Sequence, residues 1–384
     1  MLRMLMHRLA HMVLVFWMFI TLLFFMMHLA PGDIVTTMVR DPRIPPEARQ
    51  SLREQFGLDQ PLFVQYLQYL ENFLTGSLGV SFSHYPQPVM DIVLERMPRT
   101  LVLFLSAVLL AYAMGFLTGK LLAWRRGGIF EYGTTFTGVL LYTVFYPWFA
   151  VMMLLIFGSI FELVPLRGFI DTDLWSDAPY SSTEVFWHII IALTLLTAAL
   201  VAVRLLTTRM NDYAQARTVA WSGWGLAVAL FLGYWWLSPM GPYALDIAHH
   251  AVLPVVTLAL INFGGAMLLT RTSMLETLRE DYIFTARAKG LSEREVRDRH
   301  AARNALMPVV TSLVIQLAYV IGGGVVTETV FSWSGIGRTL VQAVIQQDTP
   351  LVVGAFAFLG VTVLVGHLVI DLVYSFLDPR IRVS

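Results

Sequence analysis

The chain has 384 residues, of which 57% are hydrophobic and only 14% charged, and its mean hydropathy is +0.67. Soluble domains run near 45–50% apolar and about 25% charged, so a soluble enzyme is excluded. The 26 basic and 26 acidic residues cancel, which leaves no footprint for nucleic acid, and the absence of cysteine removes disulfides, thiolate metal sites and cysteine nucleophiles together.

What remains is an all-α polytopic membrane protein. A crossing helix needs about 20 largely apolar residues. The first such run, about Leu9–Leu29, follows Arg3, His7 and Arg8 and leads into Pro31-Gly32-Asp33. A signal peptide starts similarly, but this run is too long and lacks a small-residue cleavage site, so residues 1–29 are read as an anchor. Residues 30–98 are polar and punctuated by Pro42, Pro45, Pro46, Pro61, Pro86 and Pro88. They are predicted to form a loop domain on one side of the membrane, with short amphipathic helices between Pro46 and Leu74 broken at Gly57-Leu58-Asp59-Gln60-Pro61.

Further spans are predicted at about 100–123 and 136–161 (within 99–170) and at 186–206 and 219–237 (within a segment, 171–245). The last three, at 247–270, 306–331 and 351–376, fall within 246–384, giving about eight in all. Trp221, Trp224, Trp235 and Trp236 mark the ends of the fifth span, where interfacial aromatics belong. A re-entrant pair is the alternative to two full crossings at 186–237. With the N-terminus inside, the inner segments hold Arg3 and Arg8; Lys120, Arg125 and Arg126; Arg204, Arg209 and Arg217; eight basic residues from Arg271 to Arg303; and Arg380 and Arg382. That excess of inner charge places both termini in the cytoplasm.

The segment 271–307 is the most informative. Asp281-Tyr282-Ile283-Phe284-Thr285-Ala286-Arg287-Ala288-Lys289 is rich in helix formers and ends at Gly290, the residue suited to a left-handed helix stop. Ser292 and Glu295 then stand at capping-box spacing, which starts a second helix running to about Asn304, before Pro308 opens the next span. Two short helices meeting at a fixed turn make a knob for a groove on another protein. Tyr282, Ile283, Ala286 and Leu291 are its expected apolar anchors, with Arg287, Lys289 and Arg294 as a charged rim. The alternative is a solvated amphipathic loop on lipid headgroups.

The run from Asp281 to Pro308 resembles the EAA loop of permease subunits in ATP-binding-cassette importers, in particular the dipeptide, oligopeptide and nickel branch. Other stretches resemble that family too: Leu29-Ala-Pro-Gly-Asp33, Phe56-Gly-Leu-Asp-Gln-Pro61, Gln65-Tyr66, Gly76-Ser-Leu-Gly79, Glu95-Arg96-Met97-Pro98, the run from Glu328 to Gly337, and Leu377-Asp-Pro-Arg380. The likeness covers about 1–168 and 246–384. It departs at 171–245, which adds a pair of spans to the family's six, and at Ser334, where the family often has proline.

The resemblance implies a type I importer permease-like bundle in a prokaryotic inner membrane. It implies a homologous second permease, two cytoplasmic ATPase subunits that bind ATP and Mg, and an extracytoplasmic solute-binding protein. The EAA loop docks on the ATPase, with Gly290 as the elbow, Asp281 and Ala286 in the docking helix, and His300, Asn304 and Pro308 stabilising its return. Peptide is the first reading of the substrate; a nickel chelate or an oligosaccharide remains open. The rivals are an ion-coupled secondary transporter and a docking receptor or scaffold, although neither a repeat between the halves nor paired midplane carboxylates is evident.

Other signals carry less. Gly115-Phe-Leu-Thr-Gly119-Lys120 has the wrong spacing for a phosphate-binding loop, and its small residues four apart favour close helix packing. ATP hydrolysis therefore belongs to a partner and this chain is not an enzyme. Asn262, Gln316, Glu328 and Asp371 are polar residues at or near membrane depth, hence pathway candidates, against interhelical hydrogen bonding or interfacial placement. Gly322-Gly323-Gly324 is a flexible gate or a packing site. Adjacent His249 and His250 face different ways on a helix, and His7 and His11 sit at the membrane entry, so no metal site is expected. The 171–184 loop has Asp171, Asp173, Asp177 and Glu184 without a basic residue.

Overall fold

The computed structural model describes residues 2–29, 60–125, 127–210, 212–320 and 324–377. Its helices are α1 (Leu2–Leu29), α2 (Leu62–Leu74), α3 (Val89–Trp124), α4 (Ile129–Thr143), α5 (Tyr146–Met153, continued by a π-helical stretch Leu154–Ile160), α6 (Thr172–Trp175), α7 (Ser182–Thr208) and α8 (Tyr213–Leu237). Then come α9 (Gly241–Thr277), α10 (Asp281–Ala288), α11 (Glu293–Glu295, continued by a π-helical stretch Val296–Ala301), α12 (Ala302–Val320), α13 (Val325–Val330), α14 (Ile336–Ile345) and α15 (Thr349–Leu377). The chain divides into two compact units, residues 1–153 with 255–384, and residues 154–254.

Six of the eight predicted spans each fall on a single helix, while the predicted span 306–331 takes in parts of α12 and α13 and residues outside those described. By length and composition α3, α7, α9 and the described part of α15 cross as single helices. The predicted span 136–161 is instead two arms, α4 and 146–160, bent by 109°. Pro147 explains the break: it has no N–H to give the Thr143 carbonyl, so the ladder cannot run through and Val144 turns extended (φ −67°, ψ 142°). The described parts of α1, α8 and α12 do not meet the same measure; in α8 its glycines and interfacial tryptophans lower the hydropathy.

In the first unit, lipid cannot drive helices together as water does, so close approach and interhelical polar contacts decide the packing. Gly115 and Gly119 bring α3 against α9: a Cβ at Gly115 would stand 2.6 Å from the Ala266 Cβ, and one at Gly119 2.6 Å from the Met267 carbonyl oxygen. These glycines therefore serve packing. Tyr112 Oη meets Ser312 Oγ at 2.8 Å between α3 and α12. A second core joins Val89, Ile92, Val93 and Met97 of α3 to Ile336, Leu340 and Ala343 of α14 and Leu351, Ala355 and Leu359 of α15. The amphipathic α2 lies on α1, with Thr21 Oγ1 2.8 Å from Tyr66 Oη, His28 2.9 Å from Gln65, and the Phe16 ring tilted against Phe73. Asp348, fully buried, accepts from the Ser81 and Ser83 hydroxyls and the Ser83 N–H, which ties the 76–88 loop to the start of α15.

In the second unit α7 and α8 form a helical hairpin whose sides are apolar and outward-facing, as in Leu195, Leu205, Leu206, Leu230 and Trp236. The acidic loop is organised rather than loose. Asp171 caps α6, and Asp246 accepts from the Asp171 N–H and from Trp175 Nε1 at 2.8 Å. His249 and His250 turn apart, to the Leu163 carbonyl and to Asp246 respectively.

The expected helices before Pro61 and the stretches at 29–33 and 378–380 reach residues outside those described, as do Gly322 and Gly323 and the side chains of His7 and Asp371. Gly324 lies tight against the Phe104 ring.

Candidate functional site

The elbow is built from backbone outward. After α9 the chain turns at Leu278–Glu280 and starts α10 with Asp281, an acid where the helix dipole favours one; Arg287 stands in the last turn, where a cation is favoured. Gly290 takes φ +78°. Around it the Gly290 N–H reaches the Arg287 carbonyl (2.9 Å) and the Leu291 N–H the Ala286 carbonyl (3.4 Å), the paired bonds of a Schellman stop. Two residues on, Ser292 and Glu295 form a full capping box: Ser292 Oγ accepts from the Glu295 N–H, and the Glu295 carboxylate accepts from the Ser292 N–H at 3.2 Å. The Ser292 hydroxyl, which donates to that carboxylate at 2.8 Å, and then the Ser292 N–H hold the Glu295 carboxyl below the usual range. Stop and start thus share one fixed turn.

Side chains lock the turn to the helices beneath it. Ile283 and Ala286 point inward, joining Ala123, Met274, Val296, Ala301, Ala302 and Ala305 in one cluster, with Leu291 packed against it. Ser273 Oγ donates to the Ala305 carbonyl (2.9 Å), and Asn304 Nδ2 donates to Tyr282 Oη (2.7 Å). Asp298 receives Arg297 bidentately (2.9 and 2.8 Å) and Lys120 of α3 at 3.1 Å, while the Arg297 guanidinium lies over the Trp124 ring. The Arg297 hydrogen bonds, then Lys120, hold the Asp298 carboxyl down at about 2. Arg287 and Glu293 pair across the elbow at 3.1 Å, both well exposed, and contribute little.

Two expectations are corrected here. Ile283 is fully buried and Ala286 5% exposed, so they are interior supports, not anchors for another protein. The outward face is Tyr282, Phe284, Thr285, Ala288 and Lys289, with Phe284 76% exposed. Helix-forming sequence alone does not say which side of an eight-residue helix meets its own protein, because Ile283 and Phe284 are equally apolar neighbours. The return helix also does not stop at Asn304. A π-helical stretch runs from Val296 through His300 into α12, and Pro308 sits inside α12, where the bond it cannot make is to the Asn304 carbonyl. The π-helical stretch ends at Ala301, before that carbonyl, and such turns recur at functional sites. His300 is half-buried.

The predicted pathway residues separate. Gln316 Nε2 donates to Asn262 Oδ1 (3.2 Å) and Asn262 Nδ2 to the Leu258 carbonyl, an interhelical pair between α12 and α9. Glu328 is fully enclosed: Thr100 Oγ1 donates to it at 2.6 Å and the Arg338 N–H at 3.0 Å, so its carboxylate caps α14 from outside. Gly335 lies directly against that carboxylate, where a Cβ would collide. In this conformation Glu328 joins α3, α13 and α14.

Comparison with known proteins places this geometry. Residues 111–383 match the model of the binding-protein-dependent transport system inner membrane component, and residues 1–104 match its N-terminal companion. The chain is 32% identical over 364 residues to the di/tripeptide transport system permease protein DppB of Pseudomonas aeruginosa, covering 94% of each protein. It is 31% identical over 359 residues to the oligopeptide transport system permease protein AppB of Bacillus subtilis (94% of this chain, 92% of the relative). It is 32% identical over 367 residues to the dipeptide transport system permease protein DppB of Escherichia coli K12, again 94% of each. With the membrane helices and the elbow between α9 and α12 in place, the chain belongs to the binding-protein-dependent transport system inner membrane components.

Proposed function

We propose that the chain is the transmembrane permease subunit of an ATP-driven importer of peptides, and that it receives mechanical work through the elbow at 281–308. Relatives along nearly the whole length are named as dipeptide and oligopeptide permeases, which supports the substrate class. The observation that carries the coupling reading is the division of α10 into a buried side, Ile283 and Ala286, and an exposed aromatic side led by Phe284. A loop with no partner has no need of a rigid stop-and-start turn; a knob that must transmit displacement does. ATP and Mg belong to two partner ATPase subunits. Their closure moves the docked α10 as a rigid body, and because α10 packs through Ile283 and Ala286 on the stretch 296–301, whose Asp298 pairs with Lys120 of α3, the displacement enters the membrane helices. A homologous second permease supplies the other wall of the path, and an extracytoplasmic binding protein delivers the peptide. Both termini are cytoplasmic.

The test is gentle purification of the tagged chain from its native membrane. A second permease and ATPase subunits should co-purify, and in proteoliposomes the assembly should hydrolyse ATP faster when binding protein and peptide are present. A chain that purifies alone and transports without ATP sinks this reading in favour of the ion-coupled transporter.

A further inference from the structure

The α7–α8 hairpin plays no part in the coupling just described, yet it carries a groove. Thr197, Leu200, Val201 and Arg204 follow one another at helical spacing on a single face of α7, and with Trp224 of α8 they line an open groove of about 420 Å³. Trp224 is held there by its Nε1–H, which donates to the Leu200 carbonyl (3.2 Å), and by an edge-on contact with Trp221. Gly223 lets the helices approach beside it, since a Cβ there would stand 2.9 Å from Val203 Cγ1. The Thr197 hydroxyl is turned to its own helix, donating to the Leu193 carbonyl. The groove therefore has apolar walls, to which Arg204 contributes its aliphatic stem, and that arginine is the one cation among its lining residues.

Charge decides the occupant. Arg204, Arg209 and Arg217 cluster at the closed end of the hairpin, and from Val185 to Leu245 the only acidic residue is Asp212. A partner's apolar helix laid here would strip water from Arg204 without compensation. A lipid with an anionic headgroup brings a phosphate to the guanidinium and acyl chains to Leu200, Val201 and the Trp224 ring. We propose that the groove between α7 and α8 is a binding site for one anionic glycerophospholipid, with Arg204 on the phosphate and Leu200, Val201 and Trp224 along the chain. The site depends on the protein lying in a bilayer and not on the ATPase coupling.

The experiment is native mass spectrometry of the full-length chain, alone and in its co-purified assembly, after exchange into phosphatidylglycerol or phosphatidylcholine. The chain should retain phosphatidylglycerol under activation that strips phosphatidylcholine. Arg204→Gln should lower that retention about fivefold, the worth of one arginine at an anionic lipid surface. Arg167→Gln, an exposed arginine elsewhere in the same unit, should leave it unchanged. Val201→Trp keeps every charge and fills the groove, so it should release the lipid by an independent route should Arg204→Gln fold poorly. Equal retention of the two lipids, undiminished retention in Val201→Trp, or loss of the lipid when the other subunits are bound would each overturn the proposal, the last by showing a protein in the groove.

Discussion

Gly290 sits at φ +78° with no heavy atom within 4 Å of where a Cβ would stand, so the cost of any side chain there is confined to the backbone. For most L-residues that cost is about 1–2 kcal/mol, more for a β-branched one, and asparagine tolerates the conformation best. Gly290→Val is expected to insert normally while ATP-driven peptide uptake falls at least about tenfold, and Gly290→Asn to keep most of it. Uptake per ATP hydrolysed in proteoliposomes decides, and normal coupling in the valine variant would remove the elbow from the mechanism. Asp298 gives a second prediction. Its carboxyl is held at about 2 by Arg297 and Lys120, below its unfolded value near 3.9. Its contribution is therefore present in full above about pH 4 and is lost as the pH falls towards about 2. Across the neutral range it is constant, and Asp298→Asn should reduce it there by about 1 kcal/mol or less, since the pair is partly exposed. Amide exchange at Val296–Ala301 should quicken in that variant at neutral pH and match the parent at pH 2.

At the scale of elements, α10 has two sides with different work. Ile283→Ala leaves a void among Met274, Val296 and Ala302 and should cost about 2–4 kcal/mol of local stability. Phe284→Ala should leave thermal stability unchanged but weaken association with the ATPase subunit by about 2 kcal/mol, an aromatic anchor's worth. A titration of the purified ATPase onto the reconstituted permease separates the two; equal affinities for Phe284→Ala and the parent would mean that α10 docks by another face. The α3–α9 contact makes a comparable demand. Gly119→Val places methyls against the Met267 carbonyl and Thr270, atoms of a neighbouring helix that cannot move aside cheaply. It should reduce the level of folded protein severalfold, read as fluorescence-detected size exclusion. Gly233, with open space around it, should accept alanine without loss.

At the scale of the whole molecule, the orientation rests on charge. Since the chain has no cysteine, single cysteines report it cleanly. Thr75→Cys in the first unit and Asp177→Cys in the second, both exposed, should react with a membrane-impermeant maleimide in intact spheroplasts. Arg294→Cys, at the tip of the elbow and 88% exposed, should react only after the membrane is opened. Labelling of Arg294→Cys in sealed spheroplasts would invert the topology and put the elbow out of reach of ATP.

Much of this protein is decided by local chemistry and is therefore legible in its residues. Apolar runs longer than a bilayer needs dictate membrane helices, Gly290 dictates a left-handed stop, and Ser292 with Glu295 dictates the next start, because each depends only on neighbours in the chain. The packing role of Gly115 and Gly119 also follows from spacing alone. What spacing could not decide is which face of a short helix meets its own protein. That choice, made by the Met274–Ala302 cluster beneath it, buried Ile283 and left Phe284 outside. Nor could the local pattern show that Pro308 would be carried inside a continuous α12, since the preceding π-helical stretch is set by packing. Glu328 read as a polar residue at membrane depth, and only the return of the chain past Gly335 made it the cap of α14. Contacts between residues distant in sequence settle such points, and they exist only once the helices have come together.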